Sequence, residues 1–126
     1  MARAIKVEVK KLETQAIGTR VNAEILKQFQ MKCKQQTIPM NVLIEAFARQ
    51  YTKGEYELFE ENIIKWDGCT SIEEGAPLST PINKEVYYKF KDVVKQQGYF
   101  VGHVLSAFIE DYVKNDVGIH LVKKQQ

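Results

Sequence analysis

The spacing of apolar residues along the chain changes twice, and it changes in the same order in two separate stretches. Residues 17–21 alternate between apolar and small or polar side chains, which is typical of a short β-strand with one buried face. Residues 23–35 then carry a single apolar stripe, which predicts an amphipathic helix. Residues 39–53 are apolar on almost every side, so a helix formed there has to be buried on almost every side.

The same order of patterns returns 61 residues later. Residues 17–53 align without gaps on residues 78–114, and 11 of the 37 pairs are identical. Asn22 and its counterpart Asn83 precede the first helix of each copy, where an asparagine side chain can cap the free amides of the first turn. One strand and one amphipathic helix cannot bury the second helix, so we expect two interlocked copies to share one core.

The repeat divides the chain into five parts. We predict a basic arm at 1–15, a first module at 16–54, an acidic connector containing a helix at 55–76, a second module at 77–115 and a tail at 116–126. Residues 5–10 alternate and form either an added edge strand or an arm that orders on binding, and we favour an arm or weak strand. Apolar residues of the connector and tail either contact a second chain or pack on their own chain: Leu58, Phe59, Ile63, Trp66 and residues 117–121.

Charge is unevenly distributed, although the net charge of the chain is only +2. Residues 1–53 carry a net charge of +6, residues 54–76 a net charge of −6, and residues 77–126 a net charge of +2. A basic segment of this size is compatible with binding to phosphate groups, and a solvated lysine-rich face has the same pattern.

The sequence holds no recognisable catalytic, metal-binding or membrane-spanning pattern. Cys33 and Cys69 lack partners at metal-ligand spacing, so we expect two reduced thiols. His103 and His120 have no nucleophile or carboxylate at a recognised spacing, and we expect a packed or capping role for His103. We therefore predict a non-enzymatic, cytoplasmic protein with no cofactor, metal, membrane or small-molecule substrate.

A strand, an asparagine cap, an amphipathic helix, a short turn and a buried second helix resemble the ribbon–helix–helix superfamily of the Arc/MetJ type. The resemblance covers residues 17–53 and 78–114. It implies a mainly α fold with a short two-stranded antiparallel β-ribbon, arranged as a tandem pseudo-dimer in which residues 17–21 pair with residues 78–82. Pairing of copies between different chains is the alternative.

The resemblance also implies a surface for DNA, because in this family the exposed face of the ribbon enters the major groove. The outward positions carried over to this chain are Ala16, Gly18, Arg20, Pro77, Ser79 and Pro81. We expect base contacts from Gly18, Arg20 and Ser79, with Arg20 as the strongest reader because it can contact guanine through two hydrogen bonds. The two prolines leave the second strand with few polar groups.

Phosphate contacts are expected at the start of each second helix, where free amides and the helix dipole favour an anion. The matching residues are Met40 and Asn41 in the first copy and Val101 and Gly102 in the second, since Pro39 cannot donate. Further contacts to DNA are expected from the arm, through Arg3, Lys6, Lys10 and Lys11.

The function that the resemblance implies is sequence-specific binding of double-stranded DNA. The role would be that of a transcriptional repressor, or of a plasmid or phage accessory factor in partition or conjugative transfer, with at least two chains per DNA site. The alternative is a degenerate module that acts as a protein–protein interaction adaptor. The two ribbon prolines, the low net charge and the acidic, aromatic connector favour that alternative.

Overall fold

The computed structural model describes residues 3–7, 13–58, 63, 75–115 and 117–121. In these residues the fold is mainly helical. The elements, in chain order, are β1 (Arg3–Val7), β2 (Thr14–Asn22), α1 (Ala23–Gln35), α2 (Met40–Thr52), β3 (Gly75–Asn83), α3 (Lys84–Gln96), α4 (Val101–Lys114) and β4 (Val117–Leu121). No helix among them is long and apolar enough to span a membrane.

The predicted ribbon is present within a single chain. β2 pairs antiparallel with β3, and each strand begins three residues before the predicted segment and ends one residue after it. The central pair is Gly18 with Ser79, which are counterparts in the two copies at the offset of 61 residues. On either side of this pair, each residue of β2 faces a residue of β3 that lies the same number of positions from the centre.

Asparagine caps start the first helix of each copy, as the sequence predicts. The side-chain oxygen of Asn22 accepts from the amides of Glu24 and Ile25 at 2.9 and 3.2 Å. The side-chain oxygen of Asn83 accepts from the amide of Val86 at 3.0 Å. Each cap satisfies donors of the first turn that have no partner inside the helix.

Helices α1 and α3 end with the same pair of hydrogen bonds. These bonds form the short turn that the sequence predicts before each second helix. At the end of α1 the amide of Ile38 donates to the Cys33 carbonyl at 3.0 Å, and the amide of Thr37 donates to the Lys34 carbonyl at 3.1 Å. This Schellman arrangement requires a left-handed backbone at one residue. Gly98 adopts it in the second copy with φ 82°, and Thr37 adopts it in the first with φ 57°.

The core is built across the two copies. Phe47 of α2 stacks on its counterpart Phe108 of α4, with ring centroids 4.1 Å apart and an interplanar angle of 12°. Phe29 of α1 meets Phe108 edge-on at 6.3 Å, and Phe90 of α3 meets Phe47 edge-on at 5.7 Å. Each first helix therefore packs against the second helix of the other copy, and the expected burial of both second helices is confirmed.

Hydrogen bonds between the copies follow the same symmetry. The Tyr51 hydroxyl donates to the side-chain oxygen of Gln97 at 2.6 Å, and the Tyr112 hydroxyl donates to the side-chain oxygen of Gln36. Both the tyrosines and the glutamines belong to the identities of the repeat. A buried hydroxyl needs a partner, so each tyrosine depends on a glutamine of the other copy.

Two short strands near the ends of the chain form a second sheet that the sequence did not predict. β1 pairs in parallel with β4, in a register that joins Arg3 to Val117 and Val7 to Leu121. Ile5 and Val7 are buried, and β1 packs against α2. Of the two alternatives for the first residues, the strand is present at residues 3–7.

Most of the predicted connector helix, including Phe59 and Trp66, lies outside the described residues. Ile63 is buried, and Leu58 is half-buried against the core of its own chain. Tyr56 is one of the connector aromatics that favour the adaptor alternative, and its ring lies edge-on to Phe47 and Phe108 at 5.2 and 5.5 Å. Tyr56 therefore covers one side of the central aromatic stack.

Candidate nucleic-acid interface

Three cross-strand pairs form the central part of the outer face of the ribbon. Their six members are the outward positions taken from the sequence, and all are exposed: Ala16 with Pro81, Gly18 with Ser79, and Arg20 with Pro77. The intervening side chains Ile17, Val21 and Leu78 are buried underneath. This separation follows from the two-residue period of a strand, which sends successive side chains to opposite faces.

The two prolines are compatible with the ribbon because of their spacing. A proline in a strand must direct its missing N–H away from the partner strand. Pro77 and Pro81 are four residues apart and share one orientation, so β3 keeps its pairing with β2. Because prolines occupy the two neighbouring outward positions, Ser79 is the one polar side chain between them on the outer face of β3.

Gly18 is fixed by the close approach of the strands at the ribbon centre. A Cβ atom built on Gly18 would lie 2.8 Å from the backbone carbonyl oxygen of Leu78. Real Cβ atoms essentially never approach another heavy atom so closely. Gly18, taken from the sequence as a base contact, therefore also sets the spacing of β2 and β3.

Arg20 lies near one end of the ribbon. One terminal guanidinium nitrogen donates to the carbonyl oxygen of Gly75 at 3.2 Å across the strands. In the described part of the chain no carboxylate forms a salt bridge with this side chain. A guanidinium has five N–H donors, so the contact to Gly75 leaves enough of them for a bidentate contact to a ligand.

The start of α4 is attached to β2 by a hydrogen-bond network that the sequence did not reveal. The Thr19 hydroxyl donates to the Gly102 carbonyl at 2.8 Å and lies 2.8 Å from the Ser106 hydroxyl. Ser106 in turn donates to the Arg20 carbonyl at 3.1 Å. A Cβ on Gly102 would lie 3.1 Å from the Thr19 hydroxyl oxygen, so a small residue suits this approach.

The opposite end of the ribbon is attached to α2 by different chemistry at the equivalent position. Glu45 is the counterpart of Ser106, and its carboxylate accepts from the backbone amide of Asn83 at 2.5 Å. The other carboxylate oxygen accepts from Arg49 at 3.1 Å. In both copies, therefore, a polar side chain of the second helix binds the end of the other copy's strand.

The second helices begin without side-chain caps, in contrast to the first helices. The N-cap residues of α2 and α4 are Pro39 and Phe100, and neither provides a capping hydrogen bond. The predicted phosphate contacts, Met40 with Asn41 and Val101 with Gly102, are the first two residues of these helices and are half-buried. Uncapped amides at a helix start can bind an anion.

An exposed aromatic side chain lies at the start of α4. Phe100 is 71% exposed, and its ring meets the His103 ring edge-on with centroids 5.2 Å apart. His103 is half-buried, so it packs against a neighbouring ring as expected. An apolar side chain this exposed has no signature in the periodicity of the sequence, because its exposure depends on the tertiary fold.

The four cations expected to contact DNA from the arm are only partly described. Arg3 and Lys6 belong to β1, which is paired with β4. Lys10 and Lys11 lie outside the described residues, as does Cys69. Contact between this segment and DNA therefore stays a prediction, and for Arg3 and Lys6 it would have to come from a strand.

Three titratable side chains of the core have a pKa that burial raises: Cys33, Tyr51 and Tyr112. Burial raises the pKa of the Cys33 thiol to about 11, so the thiol stays protonated and unreactive near neutral pH. Burial also raises the pKa values of Tyr51 and Tyr112. Among the described residues no group of three or more histidine, cysteine or acidic side chains could hold a metal ion.

Comparison with protein families, curated proteins and solved structures finds no match to this chain. A function is therefore inferred from the geometry of the molecule. That geometry is a two-stranded antiparallel ribbon with an exposed outer face, above helices that pack across the two copies.

Proposed function

We propose that this chain is a tandem ribbon–helix–helix pseudo-dimer that binds double-stranded DNA through the outer face of β2 and β3. The observation that carries the proposal is the ribbon register, in which the counterparts Gly18 and Ser79 form the central pair. Such a register is expected of two equivalent modules related by a twofold axis. The exposed outer face above a shared core supports a role for the ribbon as a ligand-binding surface.

The shape of the ribbon suits the major groove of B-form DNA, which admits a two-stranded β-ribbon. The centre of its outer face carries only Gly18 and Ser79, so the backbone can approach base edges closely. Arg20 supplies the donors for a bidentate contact to guanine, and Ser79 can donate or accept a single hydrogen bond.

The uncapped starts of α2 and α4 are proposed to bind DNA phosphates. α2 packs on β3 and α4 packs on β2, so each second helix is attached to one strand of the ribbon. The hydrogen bonds of Glu45 and Ser106 to the strand ends would fix the helices relative to the bases that the ribbon contacts. Such contacts set the position on DNA and carry no sequence information.

The test is a binding experiment with the full chain. A duplex selected from a random pool and an unselected duplex are titrated across salt concentrations, and the slope of log K against log salt gives the number of phosphates contacted. We expect Arg20→Ala to reduce affinity for the selected duplex by about 1–3 kcal/mol, and affinity for the unselected duplex by less.

Lys34→Ala is the matched control, because Lys34 is an exposed cation near the far end of α1. This variant loses the same charge and should keep the preference for the selected duplex. An equal loss on both duplexes in Arg20→Ala would make Arg20 a phosphate contact. No binding to either duplex at low salt would reject DNA binding and favour the adaptor role.

We further propose that at least two chains bind each DNA site, because one ribbon with two polar readers contacts too few bases for a specific site. Sedimentation of the complex with a duplex that holds one site gives the stoichiometry. A stable complex of one chain per specific site would contradict this expectation. The proposal covers both a repressor and an accessory factor of partition or transfer.

A further inference from the structure

A cavity of about 270 Å³ lies between the end of α2 and the start of α3, next to the last residue of β3. Three cations line it, Arg49, Lys53 and Lys89, together with one carboxylate, Glu85. Val86 adds an apolar wall. Lys89 is paired with Glu85 at 3.2 Å and Arg49 with Glu45 at 3.1 Å, so the three cations exceed these two carboxylates by one.

The duplication of the chain provides an internal comparison for this lining. The counterpart of Arg49 in the other copy is Glu110, and the counterpart of Lys89 is Gln28. Both copies form the same helices, so the fold does not require cations at these two positions. The basic lining is therefore found between α2 and α3, and the equivalent residues of α4 and α1 do not repeat it.

The asparagine caps of α1 and α3 also differ, and the cap of α3 lies at this cavity. Asn22 caps two amides in the first turn of α1, those of Glu24 and Ile25. Asn83 caps only the amide of Val86, so the amide of Glu85 is left without a side-chain cap at the edge of the cavity. A free amide at a helix start is a donor to which phosphate oxygens bind.

Arg49 has a further donor to offer. One of its terminal nitrogens is held by Glu45 at 3.1 Å, while its Nε is buried and has no hydrogen-bond partner among the described residues. A buried donor without a partner costs free energy, so a nearby acceptor would be favourable. A small movement of the guanidinium towards the cavity would present this donor to an anion.

We propose that this cavity binds a small phosphomonoester. A phosphate monoester carries a charge of about −1.5 to −2 at neutral pH, so it is attracted to a lining with an excess of positive charge. The volume is near the lower end for small-molecule sites, so it suits a phosphate with one small substituent. Val86 and the aliphatic stems of the lysines would contact that substituent. The proposal does not depend on DNA binding.

The test is an amide NMR titration of the full chain with ribose 5-phosphate, inorganic phosphate and ribose at constant ionic strength. We expect saturable movement of the Glu85 amide signal with ribose 5-phosphate, with a Kd on the order of 1 mM or below. Inorganic phosphate should bind more weakly, and ribose should cause no movement. The Glu24 amide is the internal control, because Asn22 already caps it.

Variants separate a defined site from general ion binding. Lys53→Ala and Lys89→Gln should each weaken binding about fivefold, as expected for the loss of a partly exposed charged contact. Lys114→Ala removes the counterpart of Lys53 and should leave the affinity unchanged. Equal weakening in all three variants, or movement that does not saturate, would overturn the site. Equal affinity for inorganic phosphate would overturn the assignment of an ester.

Discussion

Single residues at the ribbon centre determine how closely its strands approach. We expect Gly18→Ala to destabilise the protein by about 1–2 kcal/mol, because the new methyl group would meet the Leu78 carbonyl at 2.8 Å and overpack the ribbon. Gly102→Ala is the matched control. Its methyl group would meet a hydroxyl at 3.1 Å that can move, and alanine favours a helix.

Urea denaturation of the two variants and the parent chain measures both effects. The midpoint of Gly18→Ala should fall without a change in the denaturant slope, whereas that of Gly102→Ala should change little. A midpoint of Gly18→Ala equal to that of the parent would show that the strands can separate at no cost.

The residues whose environment could be predicted from sequence are those set by local spacing. The exposure of Arg20 and the burial of Ile17 follow from the alternation of a strand. The contacts of Thr19 with Ser106 and of Glu45 with Asn83 could not be predicted. They join residues far apart in sequence, and their partners depend on how the second helices lie against the ribbon.

At the scale of elements, the two copies have different residues at the left-handed position that ends the first helix. Thr37 adopts the left-handed backbone that Gly98 adopts in the other copy. This conformation costs an L-residue about 1–2 kcal/mol, and glycine loses about 0.4–1 kcal/mol more backbone entropy on folding. Thr37→Gly should therefore stabilise the chain by about 0.5–1 kcal/mol, and Gly98→Ala should destabilise it by a similar amount.

Thermal and urea unfolding of these two variants would check the opposite signs. A loss of stability in Thr37→Gly would mean that the threonine side chain contributes more than its backbone costs. Gln35→Gly is a useful comparison, because it places glycine in the last turn of α1, where the right-handed helical backbone gives glycine no steric advantage.

Elements differ in how far local sequence determines them. The helices with their asparagine caps and the strands of the ribbon could be predicted because each has a local period and a local start signal. β1 and β4 are five residues each and lie at opposite ends of the described chain. Their parallel pairing is a long-range contact that no local pattern encodes, so it was not predicted.

At the scale of the whole molecule, neither copy has a core of its own. Phe29 and Phe90 each pack on the second helix of the other copy, and both sheets join strands from opposite halves of the chain. We expect fragments 1–66 and 67–126 to be unfolded when separate and monomeric. Mixed in equal amounts, they should recover the helical circular dichroism of the intact chain.

The midpoint of thermal unfolding distinguishes the mixed fragments from the intact chain. It should rise with concentration for the mixed fragments, because association and folding are coupled, and stay constant for the intact chain. A fragment that is folded while monomeric would contradict the shared core.

Placing both copies on one chain lets each position of the pair change independently. In an assembly of two identical chains, the residue at the ribbon centre would face its own copy, and every substitution would occur twice. Here glycine faces serine at that place. Arg20 is likewise present at one end of the outer face, while its positional counterpart at the other end is Pro81. The ribbon consequently has a direction, and turning it end for end presents a different row of side chains to whatever it binds.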